Sequence, residues 1–210
     1  MSEPAILLVG AGGHARACID VIEQEGLFAV AGLIGVPSEI GRRILGYPVL
    51  GSDADLPALL AEHACSLVTI GQIKTPNVRM RLFDVLEKSG SRLPAIVSPR
   101  AYVSPHAAVG AGSIVMHGAV INAGAVVGRN CIINSQSLVE HDVVIADHCH
   151  IATGAAVNSG VRVGVGTFIG SQSSVRQAVT IGEHCVIGMG QRVLADCAAG
   201  TQLPPVTGAR

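Results

Sequence analysis

From Val103 onward a branched aliphatic residue returns at every sixth position without a slip. The series runs Val103, Val109, Val115, Ile121 and onward to Ile181, Ile187 and Val193, sixteen positions in all. An α-helix cannot generate a period of six, and a simple strand repeats every two residues. A fixed period of this kind marks a solenoid. The second position of the hexad is often glycine (110, 128, 164, 170, 182 and 188), and the fifth is small or slender at nearly every turn, as at Ala107, Ser113, Cys131 and Cys185. One hexad per side of a flat three-sided coil gives eighteen residues per turn. The branched first residue then points inward, where slender side chains stack rung upon rung, and the glycine or small residues allow tight corners. Fifteen complete hexads over 103–192 make five coils, a height of about 24 Å at ~4.8 Å per rung.

Composition fits a narrow interior. Aromatic residues are 2% of the chain, with no tryptophan, whereas hydrophobic residues are 49%. A conventional core of this size uses more large rings. Charged residues at 14% and a mean hydropathy of +0.51 exclude disorder. A formal net charge of −1 supplies no basic field for nucleic acid. No apolar run reaches the ~18 residues of a membrane helix. The start, Met1-Ser2-Glu3-Pro4, has no cationic region, and Ala5 to Val9 is too short for a signal core. Neither nucleic acid nor membrane is expected as a partner, and the expected location is cytoplasmic. Six cysteines without a CxxC pair read as reduced thiols. Cys131, Cys149 and Cys185 lie at multiples of eighteen and read as small spacers in one vertical column.

Residues 1–98 follow a different grammar. Ala5–Val9 reads as a short buried strand, followed by Gly10-Ala-Gly-Gly-His14 and a helix from about His14 to Glu25 that stops at Gly26. A second strand is expected over Phe28–Ile34. Asp53 or Asp55 can cap a helix running through Leu60, Ser66–Ile70 reads as a third strand, and Asn77–Lys88 as a helix closed by Gly90. Strands alternating with helices imply a small parallel sheet, Rossmann-like. The fold class is thus an α/β N-terminal domain (1–98) followed by a parallel β-helix of hexapeptide repeats (99–210).

Gly10-x-Gly12-x-x-Ala15 follows a strand and opens a helix, the Gly/Ala variant of the dinucleotide fingerprint. Glycines let the backbone approach a pyrophosphate, and the helix N-terminus offers free N–H groups. A nicotinamide dinucleotide also calls for an acid near the end of the second strand. Here that segment is Gly32-Leu-Ile-Gly-Val-Pro37, and the first acid is Glu39. A nucleotide-sugar pyrophosphate is the leading reading, with a ligand-free structural turn as the plain alternative.

The hexads, the glycine loop, the stretch from Asn134 to His150 and the closing Val206-Thr-Gly-Ala-Arg210 together resemble one family across essentially the whole chain. It is that of the left-handed β-helix nucleotide-sugar N-acetyltransferases, which act on UDP-linked 4-amino sugars or GDP-perosamine and are often labelled sialic acid O-acetyltransferase-like. The resemblance implies an acetyl-CoA-dependent transferase in surface glycan synthesis. It implies that Gly12, Gly13 and His14 cradle the diphosphate and approach the sugar, and that Asn77 and Arg79 line the nucleotide cleft; for the last two a solvated helix face is the plain alternative. Relatives that bind uridine carry acidic residues after the second strand, where this chain has Gly35-Val36, which tilts the expectation toward a GDP-sugar.

Three of the eight histidines fall in Val139–His150. The inward register belongs to Val139, Ile145 and Ile151, so His141, His148 and His150 project outward. His148 and His184 read as solvated or packed against a neighbouring chain. His141 is followed by Asp142, and the resemblance makes it the general base with Asp142 as its partner. Amine attack on a thioester needs a proton removed as the C–N bond forms, and a near-neutral imidazole suits that step. The resemblance places His150 at the acetyl group or thioester carbonyl, as a donor to the developing oxyanion, and lets Asn134 orient the sugar amine. It places acetyl-CoA in a groove between prisms, against Ser159, Ser171 and Met189, and implies a homotrimer with active sites between subunits. The spacing His-x6-His-x-His does not match the zinc-binding carbonic anhydrases of this fold, so no metal is expected. Rival readings are O-acetylation of a sugar, and a non-catalytic scaffold or nucleotide-sugar sensor.

Overall fold

The computed structural model describes residues 3–206; Met1, Ser2 and the closing Thr207-Gly-Ala-Arg210 lie outside the described residues. The N-terminal part runs β1 (Ala5–Val9), α1 (Gly13–Glu25), β2 (Ala29–Ile34), β3 (Arg43–Ile44), β4 (Tyr47–Gly51), α2 (Leu56–Glu62), β5 (Cys65–Val68) and α3 (Asn77–Lys88). Its sheet has the order β3-β4-β2-β1-β5, parallel except for β3 against β4. α1 begins one residue before the expected His14, and Gly26 ends it in the left-handed conformation at φ 67°. Asp55 stands at the start of α2, but its carboxylate accepts from Ser52 N–H at 2.9 Å and Ser52 Oγ–H at 3.0 Å rather than capping the helix.

The β3–β4 hairpin was not legible in the sequence. Its reversal puts both Leu45 (φ 48°) and Gly46 (φ 91°) in left-handed backbone between the paired Ile44 and Tyr47. Such two-residue turns favour Asn-Gly or Asp-Gly, so a leucine at the first position hides the signal.

The repeats form a left-handed parallel β-helix, as expected from the hexads. Three parallel sheets of six, five and seven short strands make its faces, and strands pair with those eighteen residues on, as Ile132 with His150, until the last rung, where Val186 pairs with Gln202. Sheet pairing starts upstream of the legible series, at Ile96–Val97, and ends at Gln202–Leu203. First-position Val and Ile residues fill the interior, and the fifth-position residues point inward as well, small ones such as Ala119, Ala125, Cys131, Cys149 and Cys185 together with Val143, all in the same buried cluster. The cysteine column is a set of spacers with a hydrogen-bonding role. Cys131, Cys149 and Cys185 each donate to a carbonyl on the next rung (Ala146, Gly164 and Ala198) at 3.1–3.2 Å.

The corner geometry corrects one expectation. The reversal falls on the fourth hexad position, which takes positive φ whether it is Gly112, Asn130 (52°), Asp142 (61°) or His148 (62°). Second-position glycines serve close approach instead. A Cβ on Gly110 would lie 2.6 Å from the carbonyl carbon of Gly128 on the next rung.

The α/β domain sits on one face, here termed the docked face. Ile96, Ile114 and Ile132, outward residues spaced by eighteen, are fully buried there against Ala15, Ile19 and Ile22 of α1. Burial of aliphatic side chains of this size contributes about 1.5–3 kcal/mol each, which makes the two parts one body. α1 reaches over one edge of the docked face, where Asp20 Oδ2 accepts from His117 Nε2–H at 2.8 Å and Ser98 Oγ–H donates to His117 Nδ1 at 2.6 Å. α3 covers the other edge.

Candidate active site

The prism has three edges, and the candidate residues divide among them. His141, Asp142 and Ser159 lie on the edge between the two undocked faces, opposite the α/β domain. Asn134, Ser171 and Met189 lie on the edge between the docked face and its neighbour. Asn130 and His148 lie on the third edge, beneath α3.

On the undocked edge, His141 Nδ1–H donates to Asp142 Oδ2 at 2.8 Å, with side chains 57% and 72% exposed. The left-handed backbone at Asp142 turns its carboxylate back beside the preceding ring. With Nδ1 committed, the lone pair of Nε2 faces outward and has no hydrogen-bond partner among the described residues. Glu140 Oε2 accepts from the His141 backbone N–H at 3.3 Å and from Asn122 Nδ2 at 3.0 Å. This polar ladder fixes the backbone under the histidine.

On the docked face, His150 is enclosed. Its Nδ1–H donates to the carbonyl of Gln72 at 2.6 Å, and its Nε2 accepts from Asn134 Nδ2 at 3.1 Å. Asn134 Oδ1 accepts from Ser135 N–H at 2.8 Å, so the amide cannot be turned over without losing that bond. His150 also packs edge-on against Phe168, with ring centroids 5.2 Å apart. Burial, opposed by the Gln72 bond and assisted by the Arg79 charge, pushes its pKa down to about 4. The expectation of a donor to an oxyanion is corrected: Nε2 carries no proton in this arrangement. Gln72 was missed by sequence reasoning, although Gly71-Gln72 sits where an α/β sheet ends its strands.

His14 stands at the start of α1 with its Nε2 enclosed and unpartnered. Burial first, then the Arg79 and His150 charges, lower its pKa to about 3. Arg79 corrects both of its expected roles. It is 1% exposed, neither on a solvated face nor open to a cleft. Its guanidinium donates to the carbonyls of Val68 (3.0 Å) and Ile70 (2.6 Å), and to Asn130 O (3.2 Å) and Oδ1 (2.6 Å). Four acceptors and no carboxylate make it a clip between β5, α3 and the β-helix. Asn130 Nδ2 passes the chain on to His148 Nδ1 at 2.9 Å, and Phe83 of α3 packs against that ring. His148 is therefore half buried against its own α/β domain, a correction of the solvated or neighbour-chain reading; His184 is exposed. Asn77 is exposed at the head of α3.

Gly12 and Gly13 are open: a Cβ on either would meet nothing within 4 Å. A separate groove of about 680 Å³ runs along the upper coils, lined by Ile73, Lys74, Phe168, Ser171, Met189 and Leu203 among others. Ser171 and Met189 are thus brought together; Ser159 is not.

Comparisons with known proteins agree with this architecture. The family described as PglD N-terminal domain matches residues 5–86, and the bacterial transferase hexapeptide family (six repeats) matches 124–159. No curated protein sequence matches significantly. Among solved structures, a histidine variant of perosamine N-acetyltransferase from Caulobacter crescentus, in complex with CoA and GDP-perosamine, is 31% identical. It aligns over 96% of this chain and 93% of its own, with a TM-score of 0.90. The acetyltransferase domain of PglB from Neisseria gonorrhoeae FA1090, in complex with acetyl coenzyme A, is 27% identical over 96% of both chains, TM-score 0.87. WeeI from Acinetobacter baumannii AYE is 25% identical over 94% of this chain and 95% of that one, TM-score 0.83. Fold and site together define a β-helix acyltransferase carrying an α/β domain. The chain belongs to the hexapeptide-repeat nucleotide-sugar N-acetyltransferases.

Proposed function

We propose that this protein transfers acetyl from acetyl-CoA to the 4-amino group of a nucleotide-linked amino-deoxy sugar, by direct attack of the amine on the thioester. The observation that carries the reading is the His141–Asp142 pair: an exposed imidazole whose Nδ1–H is held by a carboxylate and whose Nε2 is free. His141 takes the amine proton as the C–N bond forms, and Asp142 holds the ring in the required tautomer. The thiolate of CoA leaves. Asn134, pinned by Ser135, is an orienting group for the acceptor.

The groove fits the donor. Apolar walls suit a pantetheine arm, Ser171 and Met189 lie along it, and Lys74 in its lining offers an ammonium to a phosphate. Gly12 and Gly13 leave room for a diphosphate, with the α1 N-terminus behind it. His141 and Ser159 stand on an edge of the same prism that shares no face with the α/β domain. One chain therefore supports the base on one side and the groove on another, and the complete site needs two copies. A homotrimer with C3 closure supplies three such junctions. GDP-perosamine is the first acceptor to try, given the 31% identical relative crystallised with it.

Subunit mixing tests this reading. His141→Ala subunits lose about 10²–10⁴ of turnover, and Met189→Arg subunits, with a filled groove, lose donor binding. Mixed oligomers of the two recover activity when base and groove come from different chains. No recovery, or a wild-type rate for His141→Ala, overturns the assignment. An alkali-labile product identified by mass would reassign the acceptor from amine to hydroxyl.

A further inference from the structure

The sequence leaves the end of β2 without an acid, since Gly35-Val36 follows Ile34. The structure supplies one from further along. Pro37–Glu39 forms a single 3-10 turn, in which Glu39 N–H donates to Val36 O at 2.8 Å. The turn folds the Glu39 side chain back over Gly35, where its Oε2 accepts from Val36 N–H at 3.0 Å. A Cβ on Gly35 would lie 2.7 Å from that oxygen and 3.1 Å from both Ala11 Cβ and Val49 Cγ1. Gly35 is thus the space that the carboxylate occupies, beside the Gly10–Gly13 loop. Oε1 has no hydrogen-bond partner among the described residues.

We propose that Glu39 recognises the ribose 2′,3′-diol of the nucleotide and so restricts the acceptor to ribonucleoside diphosphate sugars, against deoxyribonucleoside ones. The inference rests on the nucleotide-sugar reading above and names its substrate class. In open α/β sheets a ligand lies outside the carboxyl ends of the strands, and an acid at the end of the second strand accepts from the ribose hydroxyls. A vicinal diol offers two donors to one acceptor group, and bonds to a charged acceptor are the strong ones. Recognition of the sugar is blind to the base. Glu39 itself therefore carries no preference between guanine and uracil.

Equilibrium binding of GDP, UDP, 2′-deoxy-GDP and 2′-deoxy-UDP tests the proposal without any acetyl transfer. Wild type is expected to bind each ribonucleotide about tenfold or more tighter than its deoxy partner, the value of one charge-assisted hydrogen bond. Glu39→Gln should bring the two close to equal, chiefly by weakening the ribonucleotide. Gly35→Ala, which crowds the carboxylate without removing it, should do the same. Nucleotides that bind wild type with no ribose preference, or a preference that survives in both variants, overturn the role of Glu39 and leave the acetyltransferase reading standing. Failure of every nucleotide to bind overturns both, as does tighter binding of NAD than of GDP and UDP.

Discussion

The Nδ1–H of His150 donates to the backbone carbonyl of Gln72 at 2.6 Å, joining the fourth rung of the docked face to the link between β5 and α3. A carbonyl only accepts, so the proton is on Nδ1, and Asn134 can only donate to Nε2. Two sequence segments far apart therefore dictate which form of one ring exists.

This dictates a spectroscopic outcome. The ¹⁵N shifts of His150 should report a neutral Nδ1–H imidazole at every pH above about 5, one unit over its depressed pKa of about 4. The Nε2–H form, or titration near the ordinary value of 6.5, would refute the network. His150→Gln should break the tie to Gln72 and raise hydrogen exchange in the 69–76 link.

Stability should fall in acid for the same reason. Burial lowers the folded pKa values of His14 and His150 to about 3 and about 4, both below the ordinary value of 6.5. Below 6.5 the unfolded chain binds protons that the folded chain refuses, so the unfolded state gains. Each histidine then removes up to about 1.4 kcal/mol per pH unit as pH falls from 6.5 toward its folded pKa. Urea midpoints taken between these limits should drop steadily, and less steeply in His150→Gln. A flat profile for wild type would contradict the burial of both rings.

Arg79 should behave as a structural residue. Arg79→Leu leaves the Val68 and Ile70 carbonyls and Asn130 without their donor, at a cost of about 3 kcal/mol. Arg79→Lys, with no planar fork, should recover only part of that. Both should lower the urea midpoint, and nucleotide affinity measured well below that midpoint should change little. A stable Arg79→Lys protein with weakened nucleotide binding would return Arg79 to the cleft.

Much of the scaffold was legible because its constraints are local and repeated. A hexad lattice of branched first residues has one compact solution, and Gly10-Ala-Gly-Gly-His14 between a strand and a helix has few. Even the docking face was written as Ile96, Ile114 and Ile132 at intervals of eighteen, a signal that comes into view once outward positions are read as a column. The His141–Asp142 pair was visible because neighbours at a corner stay neighbours in space.

What the chain determined by itself is everything that follows from periodicity and adjacency: the β-helix, the α/β domain before it, the outward histidines and the glycine loop. The tertiary structure alone decided the fate of individual polar groups. Arg79 became a buried clip, His148 was half covered by α3, His150 lost its free donor to Gln72, and Glu39 folded back over Gly35. The reason is physical: burial and partnering depend on which distant segments meet, and those contacts set protonation and hydrogen-bond direction in ways that no spacing along the chain encodes.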